Sequence, residues 1–289
     1  MLNDLKNTFQ LKHNGLNRLI VVNVIVFVLV NLIDFILRMS GSWFRLEEVL
    51  MLPPTFSGFI EKFWTLFTYM FTHMEFGHIF SNMLWLYFLG SVFSEFMGSK
   101  RLVGLYLMGG LSGGILFLII NTLFPKMLVL GPMLGASAGV MAIVIATAVY
   151  APNLKMMLFG VWPVKLKYIA LASFLLTSVL DIGTNTGGKI SHMGGALFGL
   201  VFALQYRKGK DLTRGAIQML ESLQHLFRKR ERKNVKVAYK RPVSDEVYNE
   251  TKVNEQKRMN DILDKISRSG YESLSKEEKD FLFNTSKKM

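Results

Sequence analysis

Apolar residues in this chain gather in blocks, and six blocks are long or dense enough to read as membrane helices: about 19–38, 78–97, 102–122, 137–151, 166–182 and 190–206. Polar residues collect in the short turns between them, with one exception, a connection of about 39–77 punctuated by Trp43, Phe44, Phe56, Phe59, Phe63, Trp64, Phe67 and Tyr69 and broken at Pro53-Pro54. Its longest apolar run, 63–71, is too short to span a bilayer, so it is predicted to lie in the interface, where aromatic rings are at home. The fourth block is unlike the rest. It starts after a loop at Gly135-Ala136-Ser137-Ala138-Gly139 and is closed by Pro152. From Ser137 to Tyr150 it reaches roughly 20 Å, against a bilayer core of about 30 Å. If Pro152 marks one membrane surface, Ser137 lies below the other.

Composition agrees with the blocks. At 51% hydrophobic and 19% charged, with a mean hydropathy of +0.30 over 289 residues, the chain is too apolar for an ordinary soluble domain. The predicted fold class is an all-α polytopic bundle of six transmembrane helices followed by a helical tail. The net charge of +13 is concentrated at the end: residues 207–289 hold 21 Lys and Arg against 13 Asp and Glu, which places +8 in the tail. Lys6, Lys12 and Arg18, then Lys100 and Arg101, then Lys155, Lys165 and Lys167 enrich alternate connections, which predicts both termini on the cytoplasmic side of a cell (inner) membrane. The absence of cysteine excludes disulfides, thiol catalysis and cysteine metal sites. The first apolar block is about twenty residues long with no small-residue cleavage site after it, so a cleavable signal peptide is not expected.

The predicted organisation is a cytoplasmic segment 1–18, a membrane domain 19–206, a juxtamembrane segment 207–244 and a small helical hairpin 245–289. In the juxtamembrane part Ile217, Leu220, Leu223 and Phe227 form one helical stripe, and 228–241 follows with eight basic residues and one acid. That pairing predicts a segment lying on anionic lipid. No aromatic stacking platform accompanies the charge, so nucleic acid is not expected as a partner. The hairpin is read from a stripe of Met259, Ile262, Leu263 and Ile266, a turn at Ser269-Gly270, and a capping box from Ser275 to Glu278. In the third block Gly109, Gly110, Gly113 and Gly114 set two overlapping GxxxG spacings, and the sixth adds Gly195 and Gly199. Small residues four apart let backbones approach closely in lipid, which predicts tight packing.

Ionisable and strongly polar groups at membrane depth are expensive and usually functional. Here they are Asn23, Asn31 and Asp34 on the first helix, His78 and Asn82 at the start of the second, Glu95 and Asp181 near helix ends, and Ser137 and His192. A zinc site fails on spacing: His73 and His78 are five apart, about 140° from eclipsed, whereas HExxH needs two histidines on one helical face. An aspartyl pair fails because Asp34 lacks a second acid in a helix core. Neither a metal nor another cofactor is expected. A Ser–His pair fits instead. Helices two, four and six all begin on the same side, so His78, Ser137 and His192 share one depth. A histidine in reach can take the serine proton near neutral pH, while His78 and Asn82, four apart, and the Ser137 amide can face a developing oxyanion.

With these residues in place the chain resembles the rhomboid intramembrane serine proteases. The carriers are Gly135-Ala136-Ser137 heading a short fourth helix, His78-Ile-Phe-Ser-Asn82 with an upstream His73, Trp64 in the outer connection, and His192-Met-Gly-Gly195-Ala-Leu-Phe-Gly199. The resemblance covers about 19–206. It implies Ser137 as nucleophile, His192 as general base and acid, and His78, Asn82 and the Ser137 N–H as the oxyanion site, with Gly135, Met141, Gly195 and Gly199 in support. It also implies single-span membrane proteins as substrates, entering sideways from lipid. The sequence departs from the family pattern at Ala138, where glycine is usual, at Met141 for a tyrosine that stacks on the base, at Thr65 in the Trp-Arg pair, and at Ser191. The alternative is a catalytically silent relative that binds membrane segments; a transporter is disfavoured, since no inverted halves are visible.

Overall fold

The computed structural model describes residues 15–125, 131–158, 161–180, 186–227 and 244–286. Twelve α-helices run through them. The chain divides into two compact units, Met1–Arg228 and Lys229–Met289.

Six helices of the first unit fall on the six apolar blocks: α1 (Gly15–Met39), α5 (Phe76–Met97), α6 (Ser99–Leu123), α7 (Ser137–Tyr150), α8 (Leu166–Ser178) and α9 (Thr186–Arg207). Of these, α1, α5 and α6 are long and apolar enough to cross a membrane, while α7 and α8 are apolar but shorter. The sixth begins at Thr186 rather than near Ile190, because Gly187 lets the first turn pack where a larger residue would collide with Phe117. Between α1 and α5 the connection is three short helices, α2 (Leu46–Leu50), α3 (Phe56–Glu61) and α4 (Thr65–Thr68), with a 3-10 turn Tyr69–Phe71. Thr55 caps α3, its hydroxyl accepting from Gly58 N at 3.2 Å, and the Trp64 indole donates to Val49 O at 2.9 Å.

Two features depart from the sequence reading. A β-hairpin, β1 (Lys155–Leu158) antiparallel to β2 (Trp162–Lys165), joins α7 to α8 in an otherwise helical unit. Its period-2 signal is hidden in a run that is apolar on both faces. The other concerns Asp34, which does have an acidic neighbour: Glu47 of α2, 5% exposed, folds back onto α1. Glu47 reads as an ordinary loop charge in the sequence, and only the turn of the chain after α1 buries it.

α7 is enclosed, with ten of its fourteen residues buried. It packs between α6 and α9 through small residues: a Cβ at Gly195 would run into the Ala138 carbonyl, and one at Gly199 into the Ala142 carbonyl. After α9, α10 (Arg214–Phe227) returns to the side of α6, where Gly104 leaves a notch for Thr213 and Ile217. Part of the stripe expected on lipid, Ile217 and Leu220, therefore packs on protein. Arg101 and Asp211 pair at 2.6 Å and Lys100 and Glu221 at 2.6 Å across this contact. Burial pushes the Asp211 carboxyl up, but the Thr213 hydroxyl and the Arg101 guanidinium outweigh it and hold its pKa below the usual carboxylate range. The basic run 228–241 lies outside the described residues.

The second unit is α11 (Asp245–Ser269) and α12 (Lys276–Ser286), joined through Gly270 at φ 80°. Ser275 N donates to Glu278 Oε2 at 2.7 Å and Glu278 N to Ser275 Oγ at 3.3 Å, two reciprocal bonds at the start of α12. Ile262 and Leu274 are its buried apolar side chains.

Candidate active site

Ser137 is the first residue of α7, with Ala136 as N-cap. Helix geometry leaves the first N–H groups of α7 without intrahelical partners. The loop before it has its own N–H groups satisfied from the long outer connection. Leu52 and Met133 exchange backbone bonds at 2.9 and 2.8 Å, and Gly135 N donates to Tyr69 O at 2.9 Å. Ala136 N donates to His73 Nε2 at 3.2 Å. What remains free at the helix head is the amide of Ser137 and its first-turn neighbours, the arrangement an oxyanion needs.

Gly135 has φ +120°, a conformation L side chains rarely adopt, and a Cβ there would lie 2.6 Å from His78 Cε1 and 2.8 Å from Nε2. The His78 imidazole thus rests directly against the backbone two residues before Ser137. Asn82, one turn further along α5, is buried and donates one amide N–H to His78 O at 2.9 Å. Its second N–H is uncommitted to that bond.

His192 lies in the second turn of α9. Its Nδ1 is 3.2 Å from Thr177 O on α8, so Nδ1 carries the proton and the lone pair is on Nε2. The turn before it, at Ser191 O, and Ala138 Cβ both close on Gly113 of α6, at 2.7 and 2.6 Å from the position of a Cβ there. The immediate neighbours of Ser137 and His192 are therefore packed on one glycine. In this structure Ser137 Oγ makes no hydrogen bond to His192. Both side chains and His78 are half-buried, whereas Met141, one turn below Ser137, is 6% exposed. Gly195 and Gly199 carry the close approach of α9 to α7, and Gly135 the approach of His78.

The roles of four contributors were not legible in the sequence. His73 has no exposed surface; Nε2 accepts from Ala136, Nδ1 is 3.3 Å from Phe71 O, and its ring meets that of His78 edge-on at 5.0 Å between centroids. Asn31 of α1 donates to His73 O at 3.0 Å, steadying that strand of chain. Tyr69 donates its hydroxyl to Gly110 O at 2.6 Å, and Tyr106 to Met70 O at 2.6 Å, tying the outer connection to α6. The signal was the polarity of Asn31 inside an apolar helix; its partner lies 42 residues away and could not be read from spacing. Asp181, with the rest of 181–185, lies outside the described residues.

A family model described as Rhomboid domain matches residues 61–209, just over half of the chain. A second model, a family of unknown function (DUF6576), matches residues 244–288. RHOMBOID-like protein 12, mitochondrial, of Arabidopsis thaliana is 29% identical over 205 residues, covering 66% of this chain and 58% of that protein. Rhomboid protein 1, mitochondrial, of Saccharomyces cerevisiae is 25% identical over 147 residues, covering 50% of this chain and 42% of that protein. The chain spans about half the length of these curated relatives.

Proposed function

Because this chain belongs to the rhomboid family, we propose that it is an intramembrane serine endopeptidase with Ser137 as nucleophile and His192 as general base. The observation that carries the reading is the packing of Ala138 and Ser191 on Gly113, which puts the head of α7 beside the His192 turn of α9. Substrate binding brings Ser137 Oγ within reach of the unprotonated Nε2, a tightening common to sites that are loose when empty. Oγ then bonds to the scissile carbonyl carbon as its proton passes to Nε2. Charge on the carbonyl oxygen is met by the Ser137 N–H, the His78 ring N–H and the second Asn82 N–H. The imidazolium returns its proton to the leaving nitrogen as the C–N bond breaks, and a water repeats the sequence on the acyl-enzyme.

Half-burial of Ser137, His78 and His192 supports a water-accessible pocket, and the short α7 supports its placement below the membrane surface. The substrates are single-span membrane proteins that reach Ser137 from the side of α8. Both chain ends lie on the membrane face opposite the pocket, and the basic run 228–241 lies on anionic lipid there. The silent, segment-binding alternative is favoured by one observation, the missing Ser137–His192 hydrogen bond.

A single assay separates the two. Purified protein in detergent cleaves a transmembrane reporter, and Ser137→Ala or His192→Ala lowers kcat about 10⁶-fold, the scale of losing a serine protease nucleophile or base, with the thermal midpoint unchanged. Equal labelling of wild type and Ser137→Ala by a fluorophosphonate probe would falsify the protease reading.

A further inference from the structure

The β-hairpin between α7 and α8 presents a surface that the fold leaves unpaired. Its base is fixed: Leu166 N donates to Leu154 O at 2.9 Å and Lys167 N to Pro152 O at 3.3 Å, so it extends rigidly from the joint of the two helices. Met156 and Val164 face the bundle and pack on its core. On the opposite face Met157 and Val161 are 56% and 64% exposed, with Pro163 between them, and towards the turn Trp162 is 62% exposed. A two-stranded hairpin with one apolar face in water is marginal.

The charges at its base are the second anomaly. Lys155 stands directly across from Lys165 in the ladder, and Lys167 follows two residues on. Like charges in directly opposed positions destabilise a hairpin. Among the described residues no ion pair reaches either lysine. Something anionic beyond the chain resolves both the repulsion and the exposed apolar tip, and the hairpin links two apolar helices, so it stands where a bilayer ends.

We propose that this hairpin is an interfacial anchor on the side of the bundle away from Ser137: Lys155 and Lys165 bridge the phosphate of an anionic phospholipid, while Met157, Val161 and Trp162 sink among the acyl carbonyls. Aromatic side chains favour that layer, and lysines near an anionic surface are attracted to it. The anchor fixes the Tyr150 end of α7 at one membrane face. A helix of roughly 20 Å held there leaves its other end about 10 Å short of the opposite face. The depth of Ser137 is thereby set from below.

The chain has no cysteine, so Met157→Cys offers one labelling position in the full-length protein. With a nitroxide on it, the protein is reconstituted into phosphatidylcholine vesicles and into phosphatidylcholine–phosphatidylglycerol vesicles, and collision with oxygen is compared with collision with an aqueous nickel chelate. The anchor predicts oxygen-dominated collision, deeper with phosphatidylglycerol. Adding Lys155→Glu, which supplies an ion pair to Lys165 and so keeps the hairpin folded, removes the phosphatidylglycerol dependence. Nickel access as high as at a labelled Ser275→Cys in the tail overturns the proposal. Shielding from both reagents, which marks contact with a second protein copy, also overturns it, as does a phosphatidylglycerol effect that survives Lys155→Glu.

Discussion

Within the membrane unit, α6, α7 and α9 meet backbone to backbone, whereas α1 and α8 ride outside them with many of their large side chains exposed. About 56% of the most apolar window of α6 is buried, against 22% of that of α1. α8 shows Tyr168, Leu171, Leu175 and Leu176 outward, and its buried side are small or branched residues such as Ala170 and Ile169. Lipid tails are as apolar as leucine, so exposing a leucine to them costs nothing, and what holds helices together is close fit between small residues. The inner trio has that fit through Gly113, Gly139, Gly195 and Gly199. The rim has fewer such contacts, so displacing it should cost less. The proposed chemistry is divided between the two regions. Ser137 and His192 stand on the inner helices, but the atom that fixes the tautomer of His192, Thr177 O, belongs to α8. Displacement of α8 by an incoming substrate would therefore reach the base directly.

The sharpest test of this contrast is steric. Gly195→Val places two methyl groups against the Ala138 carbonyl, where only backbone could yield, and should cost about 3 kcal/mol or more. Leu176→Ala on α8, 61% exposed, should stay within about 0.5 kcal/mol. Thermal melts in detergent compare them, and a Gly195→Val protein that melts with wild type would dissolve the distinction.

Next in size is His73, the side chain through which the outer connection grips the head of α7. His73→Phe keeps a flat ring but loses the acceptor for Ala136 N and the edge that meets His78. kcat for a membrane reporter should fall about 10²-fold, the scale of one oxyanion donor misplaced, with KM unchanged. His73→Gln restores an acceptor at the position of Nε2 and should recover part of the rate. If both variants lose activity only in step with their melting temperature, His73 is packing alone.

The smallest effect lies at the rim, where Glu47 meets α1. Burial first, then the neighbouring Asp34 carboxyl, raises the Glu47 pKa above its ordinary 4.5, while Arg45, with its guanidinium 3.6 Å from the carboxylate, opposes the shift. A raised folded-state pKa stabilises the fold below the ordinary value and withdraws that contribution as pH climbs through the shifted one. The melting temperature of wild type should therefore drop as pH rises from about 4.5 towards neutrality, and Glu47→Gln should flatten that slope. An identical slope in both would place the titration elsewhere.

How much of this was legible in the chain differs by element. The six apolar blocks became six helices because their length and polarity leave the backbone no other way to satisfy itself in lipid. Ser137 at a helix head was equally visible, since a glycine-flanked loop and Pro152 bracket it. The hairpin at 155–165 was not, because both of its faces are apolar and alternation vanishes. Neither was the burial of Glu47, whose partner arrives only when the chain reverses after Met39, nor the side of α10 that packs on Gly104.

Sequence alone determined the helices, the small-residue seams and the residue types able to attack a carbonyl, because these follow from local periodicity and from what a membrane tolerates. Tertiary structure decided which nitrogen of His192 holds its proton, that His73 and Asn31 brace the loop before Ser137, and that two lysines face each other across a hairpin. Those are contacts between residues from ten to 63 positions apart, and their geometry exists only once the segments are packed.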